Sequence, residues 1–203
     1  MDVNTMIPIV VEQTPHGERS YDIYSRLMKE RIVMLCEPVS SFSSNRIVAS
    51  LLYLDSERNR DISFYINSPG GTVTDGLAIY DTMKSLRSSV STICIGQACS
   101  MGAFLLAGGT KGRRFSLPNS RIMIHQVSSG TEGTYKDMYV SLKETERLND
   151  SLAEILAGNT GQDLEKIKHD IDRDFFMSSN EARAYGLIDE IIEKIPYEQE
   201  NKD

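Results

Sequence analysis

The sequence predicts an α/β fold built from parallel βαβ crossovers, and three observations carry that expectation. Between residues 31 and 96, strand-length apolar runs alternate with segments of helical periodicity. Those runs are apolar throughout instead of alternating, as strands are when helices cover both sheet faces. The 203 residues, 40% apolar and 25% charged, contain no internal repeat and no linker, which suits one domain spanning 1–203 with a sizeable core.

The elements follow in order. RSYDIYSRLMKE (19–30) spaces Ile23, Tyr24, Leu27 and Met28 as a helix does, after a polar N-terminus. RIVMLC (31–36) is a strand. SSNRIVASLLYL (43–54) opens on serine cap candidates and repeats Ile47, Val48, Leu51 and Leu52 on one helical face. ISFYIN (62–67) is a buried strand broken by SPGG, TDGLAIYDTMKSL (74–86) a helix, and VSTICIG (90–96) a strand leading into a short apolar helix.

RRFSL (113–117) and RIMIH (121–125) are short strands around a Pro-Asn turn, and SSGTEGT (128–134) is a loop. Residues 135–157 form the longest helix, closed by Gly158. DLEKIKHDI (163–171) is a charged helix. Ser178 and Glu181 make a capping box for a helix ending near Gly186, and LIDEII (187–192) is a last strand before a polar tail, 193–203.

Bulk properties exclude several roles. A net charge of −7 without any basic run argues against a nucleic-acid surface. No run approaches the roughly eighteen apolar residues a membrane span needs. Cys36, Cys94 and Cys99 have no CxxC spacing and read as reduced, buried small hydrophobes, pointing to a reducing, cytoplasmic setting. The N-terminus lacks the basic-then-apolar layout of a secretory signal, although a short processed leader fits it.

The chemistry centres on GQACSMGAFLLAGG (96–109), where Ser100 stands between a strand and a helix. It is either a plain N-cap or a nucleophile served by a positive helix end and bare backbone amides. ACSMG is a near miss to the GxSxG elbow, and the histidine follows too soon for the usual elbow order. Of three histidines, His16 lies in a polar segment and His169 on a charged helix face, whereas His125 ends an apolar strand. Strand ends are where parallel α/β folds gather reactive groups, yet they hold structural histidines too. SPGG supplies Gly70 and Gly71, whose bare N–H groups can approach a carbonyl at the same sheet edge as Ser100. Among Asp170, Asp172 and Asp174, the last abuts Phe175 and Phe176 and is the one drawn toward the core.

SPGG, then GQACSMGAFLLAGG, then PNSRIMIHQ, then DRDFF before EARAYGLID, together resemble the Clp protease proteolytic subunit from about residue 7 to 192. The resemblance implies a crotonase-like ββα superhelix with a long handle helix (128–158 with its loop) and an N-terminal axial segment, 1–18. It implies Ser100 as nucleophile, His125 as general base, Asp174 as orienting acid, and the backbone N–H groups of Gly71 and Met101 as oxyanion hole. It also implies ATP-dependent proteolysis of unfolded chains within two stacked heptameric rings, fed by an AAA+ unfoldase, with no cofactor or metal in this subunit. Asp172 and Arg173 match positions that pair between rings, and Tyr65 and Ser63 match the unfoldase docking pocket.

Several positions depart from the family pattern. Cys99 replaces an alanine beside the nucleophile, Val127 stands where proline follows HQ, Ser63 replaces an aromatic, and the handle loop lacks its usual Gly-Gln-Ala turn. These motivate an alternative, a regulatory or assembly subunit in a mixed barrel with a paralogue. A crotonase-type acyl-CoA enzyme and a Ser-Lys peptidase using Lys111 are weaker alternatives on the motifs.

Overall fold

The computed structural model describes residues 7–15, 17–57 and 60–194; His16 and the tail from 195 lie outside them. It bears out the mixed α/β expectation. The chain opens with an antiparallel hairpin, β1 (Ile9–Thr14) and β2 (Gly17–Asp22), where only a polar start was expected. Its apolar run is short and set among polar residues, with Ile9 and Val11 exposed and Val10 half-buried.

Asp22 then caps α1 (Ile23–Lys29) by accepting the Ser25 N–H at 2.9 Å. The crossover series follows: β3 (Ile32–Leu35), α2 (Ser41–Glu57), β4 (Ile62–Ser68), α3 (Val73–Ser85) and β5 (Val90–Cys99). Helix α2 starts earlier than the sequence suggests, and its buried face is Ile47, Leu51 and Leu54, with Leu52 exposed. Ser43 and Ser44 lie inside it, buried, while the Ser43 N–H donates to Ser40 Oγ just before the helix. Cys36 is exposed rather than buried, because it sits just past the end of β3.

Next come α4 (Met101–Ala107), β6 (Arg114–Ser116), β7 (Arg121–Ile124), α5 (Tyr135–Thr160) and α6 (Leu164–Asp170). Then β8 (Phe175–Ser178), α7 (Ser179–Tyr185) and β9 (Glu190–Ile191) complete the described chain. Helix α5 runs through Gly158 and closes at Gly161, which takes the left-handed C-cap position and donates its N–H to Ala157 O at 2.8 Å. The capping box at Ser178 and Glu181 is present. Strand β9 is shorter than LIDEII: only Glu190 and Ile191 pair with β6, while Leu187 and Ile188 are buried in the approach to it.

Strands β3, β4, β5, β6 and β9 run parallel in that spatial order. Strand β5 is long enough to take two parallel partners on one side. Thr92–Cys94 pair with β6, and Gln97–Cys99 pair with β7. The change of partner is made at Gly96 (φ 78), where Asn67 Oδ1 accepts the Gln97 N–H and the β4–β5 register shifts. Strand β8 then adds antiparallel to β7.

Helix α4 is buried on every face, as a helix apolar all round must be, and packs between the sheet, α3 and α5. Its C-terminal Ala107 carbonyl and the Asn159 carbonyl near the end of α5 both accept from the buried Arg114 guanidinium. Asp189 closes that cluster, accepting from Arg114 Nη2 at 2.6 Å, Nε at 2.9 Å and the backbone N–H at 3.0 Å. Among the described residues no helix is long and apolar enough to cross a membrane.

Burial raises the Asp189 carboxyl, but the hydrogen bonds and charge of Arg114 outweigh it and hold it below the ordinary aspartate range. A lowered carboxyl stabilises the fold above its unfolded-state value, and that contribution is lost as pH falls through the folded value. Asp189→Asn is expected to lower stability at pH 7 by about 3 kcal/mol, since it strips a buried guanidinium of its counter-charge. Denaturant melts from pH 7 down to pH 3 should show a flatter acid decline for the variant than for the parent.

Candidate active site

Three strand ends bring the reactive groups to one level. Ser100 follows β5, and His125 follows β7, which runs parallel beside it. Asp174 precedes β8, which returns antiparallel. The β7–β8 ladder pairs Ile124 with Phe175, so the next position along it sets His125 against Asp174. Beyond β4, the SPGG turn lies beside the end of β5, strapped down by Val39 N–H donating to Gly70 O at 2.8 Å and Thr72 N–H donating to Val39 O at 3.0 Å.

Ser100 holds φ 53 and ψ −122, a left-handed conformation that costs a non-glycine residue about 1–3 kcal/mol. Its N–H donates to Met123 O at 2.8 Å and its carbonyl accepts from Phe104 N–H at 3.1 Å, fixing it between sheet and helix. It occupies the N-cap position of α4 without a side-chain cap bond. Its hydroxyl is turned elsewhere: Ser100 Oγ lies 2.9 Å from His125 Nε2, and His125 Nδ1 lies 2.9 Å from Asp174 Oδ1. A carboxylate can only accept, so the proton sits on Nδ1 and leaves Nε2 to accept from the serine hydroxyl.

Gly70 and Gly71 are required by space as well as by conformation. A Cβ on Gly70 (φ 94) would stand 2.6 Å from Ser100 Cβ and 2.7 Å from Cys99 O. One on Gly71 (φ 151) would stand 2.1 Å from Val39 O. The Gly71 and Met101 N–H groups engage no acceptor among the described residues. A cavity of about 60 Å³ opens beside the serine, walled by Val73, Met101, Phe104, Leu152 and Leu156 with Asn149 among them.

Asp174 is not drawn into the core. Its side chain is 59% exposed and Phe175 and Phe176 are exposed too; what places it is the β7–β8 register. Cys99, one residue from Ser100, is buried and off the cavity wall. Burial, with the charge of Asp174, pushes its thiol above the ordinary range, which disfavours a thiolate. Cys94 is pushed up to about 11 by burial.

The remaining candidates fall away from this centre. Asp172 and Arg173 are exposed at its rim, Arg173 Nη1 donating to Asp172 O at 2.9 Å. Ser63 and Tyr65 line a separate groove with Tyr21, Met28 and Phe115. Lys111 and His169 are exposed, and the Ser100 hydroxyl is bonded to His125. Among the described residues no group of three or more His, Cys, Asp or Glu gathers as a metal site. The sequence reading passed over Gln126, whose N–H donates to Ile171 O at 2.6 Å and whose side-chain amide donates to Asp172 O at 2.7 Å. Its only local signal was its place directly after the strand-end histidine.

Gly70→Ala should be destabilising by about 3 kcal/mol in urea melts, combining overpacking with a disallowed φ. The same change at Gly130, where a Cβ meets open space, should lie within about 0.5 kcal/mol of the parent.

These strand ends belong to a wider pattern. A family model described as Clp protease matches residues 15–195, all but the two ends of the chain. The chain is therefore a member of the Clp protease family.

Proposed function

We propose that this chain is the serine endopeptidase subunit of an ATP-dependent Clp protease, cleaving unfolded polypeptide by acyl transfer through Ser100. The observation that carries the reading is the unbroken line from Ser100 Oγ through the His125 ring to Asp174, with both contacts at 2.9 Å. Ser100 attacks the scissile carbonyl while His125 Nε2 takes the hydroxyl proton, and Asp174 holds the tautomer and stabilises the imidazolium. The carbonyl oxygen becomes an oxyanion between the Gly71 and Met101 amides. His125 then protonates the leaving amine, and afterwards takes a proton from the attacking water and returns it to Ser100 Oγ as the acyl-enzyme breaks down. The cavity lined by Phe104, Leu152 and Leu156 receives an apolar side chain on the acyl side of the bond.

The openness of the site fits an assembled enzyme. The His125 side chain is 26% and Asp174 59% exposed, so water competes for their bond in a lone subunit. Asp172 and Arg173, adjacent in sequence to Asp174, stand outward where a facing ring would cover them. The outer groove at Tyr65 and Phe115 offers apolar walls for a segment of an AAA+ unfoldase, which would hold the ATP. An acyl-CoA reading leaves the Ser100–His125–Asp174 line without a role.

Labelling with a serine-directed fluorophosphonate, mapped by peptide mass spectrometry, tests the reading. Ser100 is expected to take the label, and Ser100→Ala to abolish it. His125→Ala should slow labelling by about 10³-fold and Asp174→Asn by about 10²-fold, less than for a buried triad acid because Asp174 is exposed. An unlabelled Ser100, with and without an AAA+ unfoldase present, would overturn the proposal.

A further inference from the structure

We propose that Asn149 is a positioning residue for His125, acting through a hydrogen bond that a proline at position 127 would forbid. The inference rests on the reading of His125 as general base.

The ladder that places His125 ends at Ile124, so the imidazole depends on how the following residues are held. Gln126 fastens them to Ile171 and Asp172 on one side. On the other side, Val127 N–H donates to Asn149 Oδ1 on α5 at 3.0 Å, a part-buried bond. Two residues further on, Ser129 Oγ meets Thr145 Oγ1 at 2.9 Å. Thr145 gives its own proton to Ser141 O at 3.0 Å, so Ser129 is the donor. Asn149 and Thr145 are one helical turn apart and therefore share a face of α5, while Val127 and Ser129 are alternate residues of the loop. The loop is thus pinned to the helix at two points running in opposite directions.

Asn149 is the inner of these two points. It lines the cavity beside Ser100, and Leu152 and Leu156, three and seven residues on along the same helical stripe, line it as well. A single stripe of α5 therefore supplies both a wall of the cavity and the anchor of the histidine's loop. The Val127 N–H needs an acceptor, which fixes the Asn149 amide with its oxygen toward the loop. Losing that acceptor frees a segment whose first residue must keep Nε2 within hydrogen-bond reach of Ser100, a geometry with little tolerance.

The test is hydrolysis of a short fluorogenic peptide with an apolar residue before the scissile bond, alongside fluorophosphonate labelling rates, with thermal melts to establish folding. Asn149→Ala is expected to lower kcat and the labelling rate together by about tenfold while KM shifts less than about twofold. Asn149→Asp, which keeps the acceptor oxygen, should recover most of the labelling rate lost in Asn149→Ala, while its charge on the cavity wall raises KM for the apolar peptide. Val127→Pro removes the donor instead, and adding Asn149→Ala to it should cost nothing further. A labelled parent with Asn149→Ala at parental kcat and labelling rate overturns this inference alone. So does an equal loss in Asn149→Ala and Asn149→Asp that tracks a lowered melting temperature. A parent that takes no label removes the serine-peptidase reading and this inference with it.

Discussion

The hydrogen-bond register that joins the C-terminal ends of β4 and β5 to β7 and β8 is the constraint on which the rest of the molecule depends. Side chains cannot choose their neighbours in a sheet; pairing chooses for them. Ser68 pairs with Ala98, Cys99 with Met123 and Ile124 with Phe175, so each strand delivers its terminal residue to one level. The glycine turn, the serine, the histidine and the aspartate meet because three ladders agree. That agreement requires β5 to leave β6 and take up β7 midway, and the break at Gly96 makes the exchange possible. A straight, uniformly paired β5 would leave no edge for β7 beside the serine.

Packing supplies what pairing alone cannot. Ser100 sits in a conformation its backbone resists, and such strain persists only where the surroundings overdetermine it. Here they do: β5 fixes one side, the wholly buried α4 fixes the other, and Gly70 leaves no slack in front. Arg114 anchors the far end of that arrangement by joining C-terminal carbonyls of α4 and α5 to Asp189, the residue before β9. One buried cation thus satisfies helix ends that would otherwise face an apolar interior.

The sequence was legible where local pattern decides structure. The series β3, α2, β4, α3, β5 follows from apolar runs and helical spacing, and Ser178 with Glu181 announces α7 within four residues. It was opaque where partners are distant or where exposure inverts the pattern. The β1–β2 hairpin pairs a short apolar run with the polar stretch GERSYD, a partner that no local pattern announces. Gly158 and Gly161 look equally able to end a helix, and only the fold decides which takes the left-handed position. The aromatic neighbours of Asp174, Phe175 and Phe176, suggest burial yet lie exposed; its contact with His125 comes from a pairing across 49 residues. Cys36 closes an apolar run in the sequence yet lies exposed, because β3 ends one residue before it. The family motif carried the candidate site further than spacing could, and the contact between Asn149 and Val127 was invisible to both.

The burial of α4 on every face has a consequence for motion. Opening the serine side of the site requires dismantling the centre of the molecule, so the hydrogen-bonded amides inside α4 are expected to exchange with solvent only through near-global unfolding. The segment from Val127 to the exposed first turns of α5 has few buried contacts and opens at far lower free energy. The two halves of the site are therefore held at different depths: the serine by the buried centre of the fold, the histidine's loop by a few hydrogen bonds at its surface.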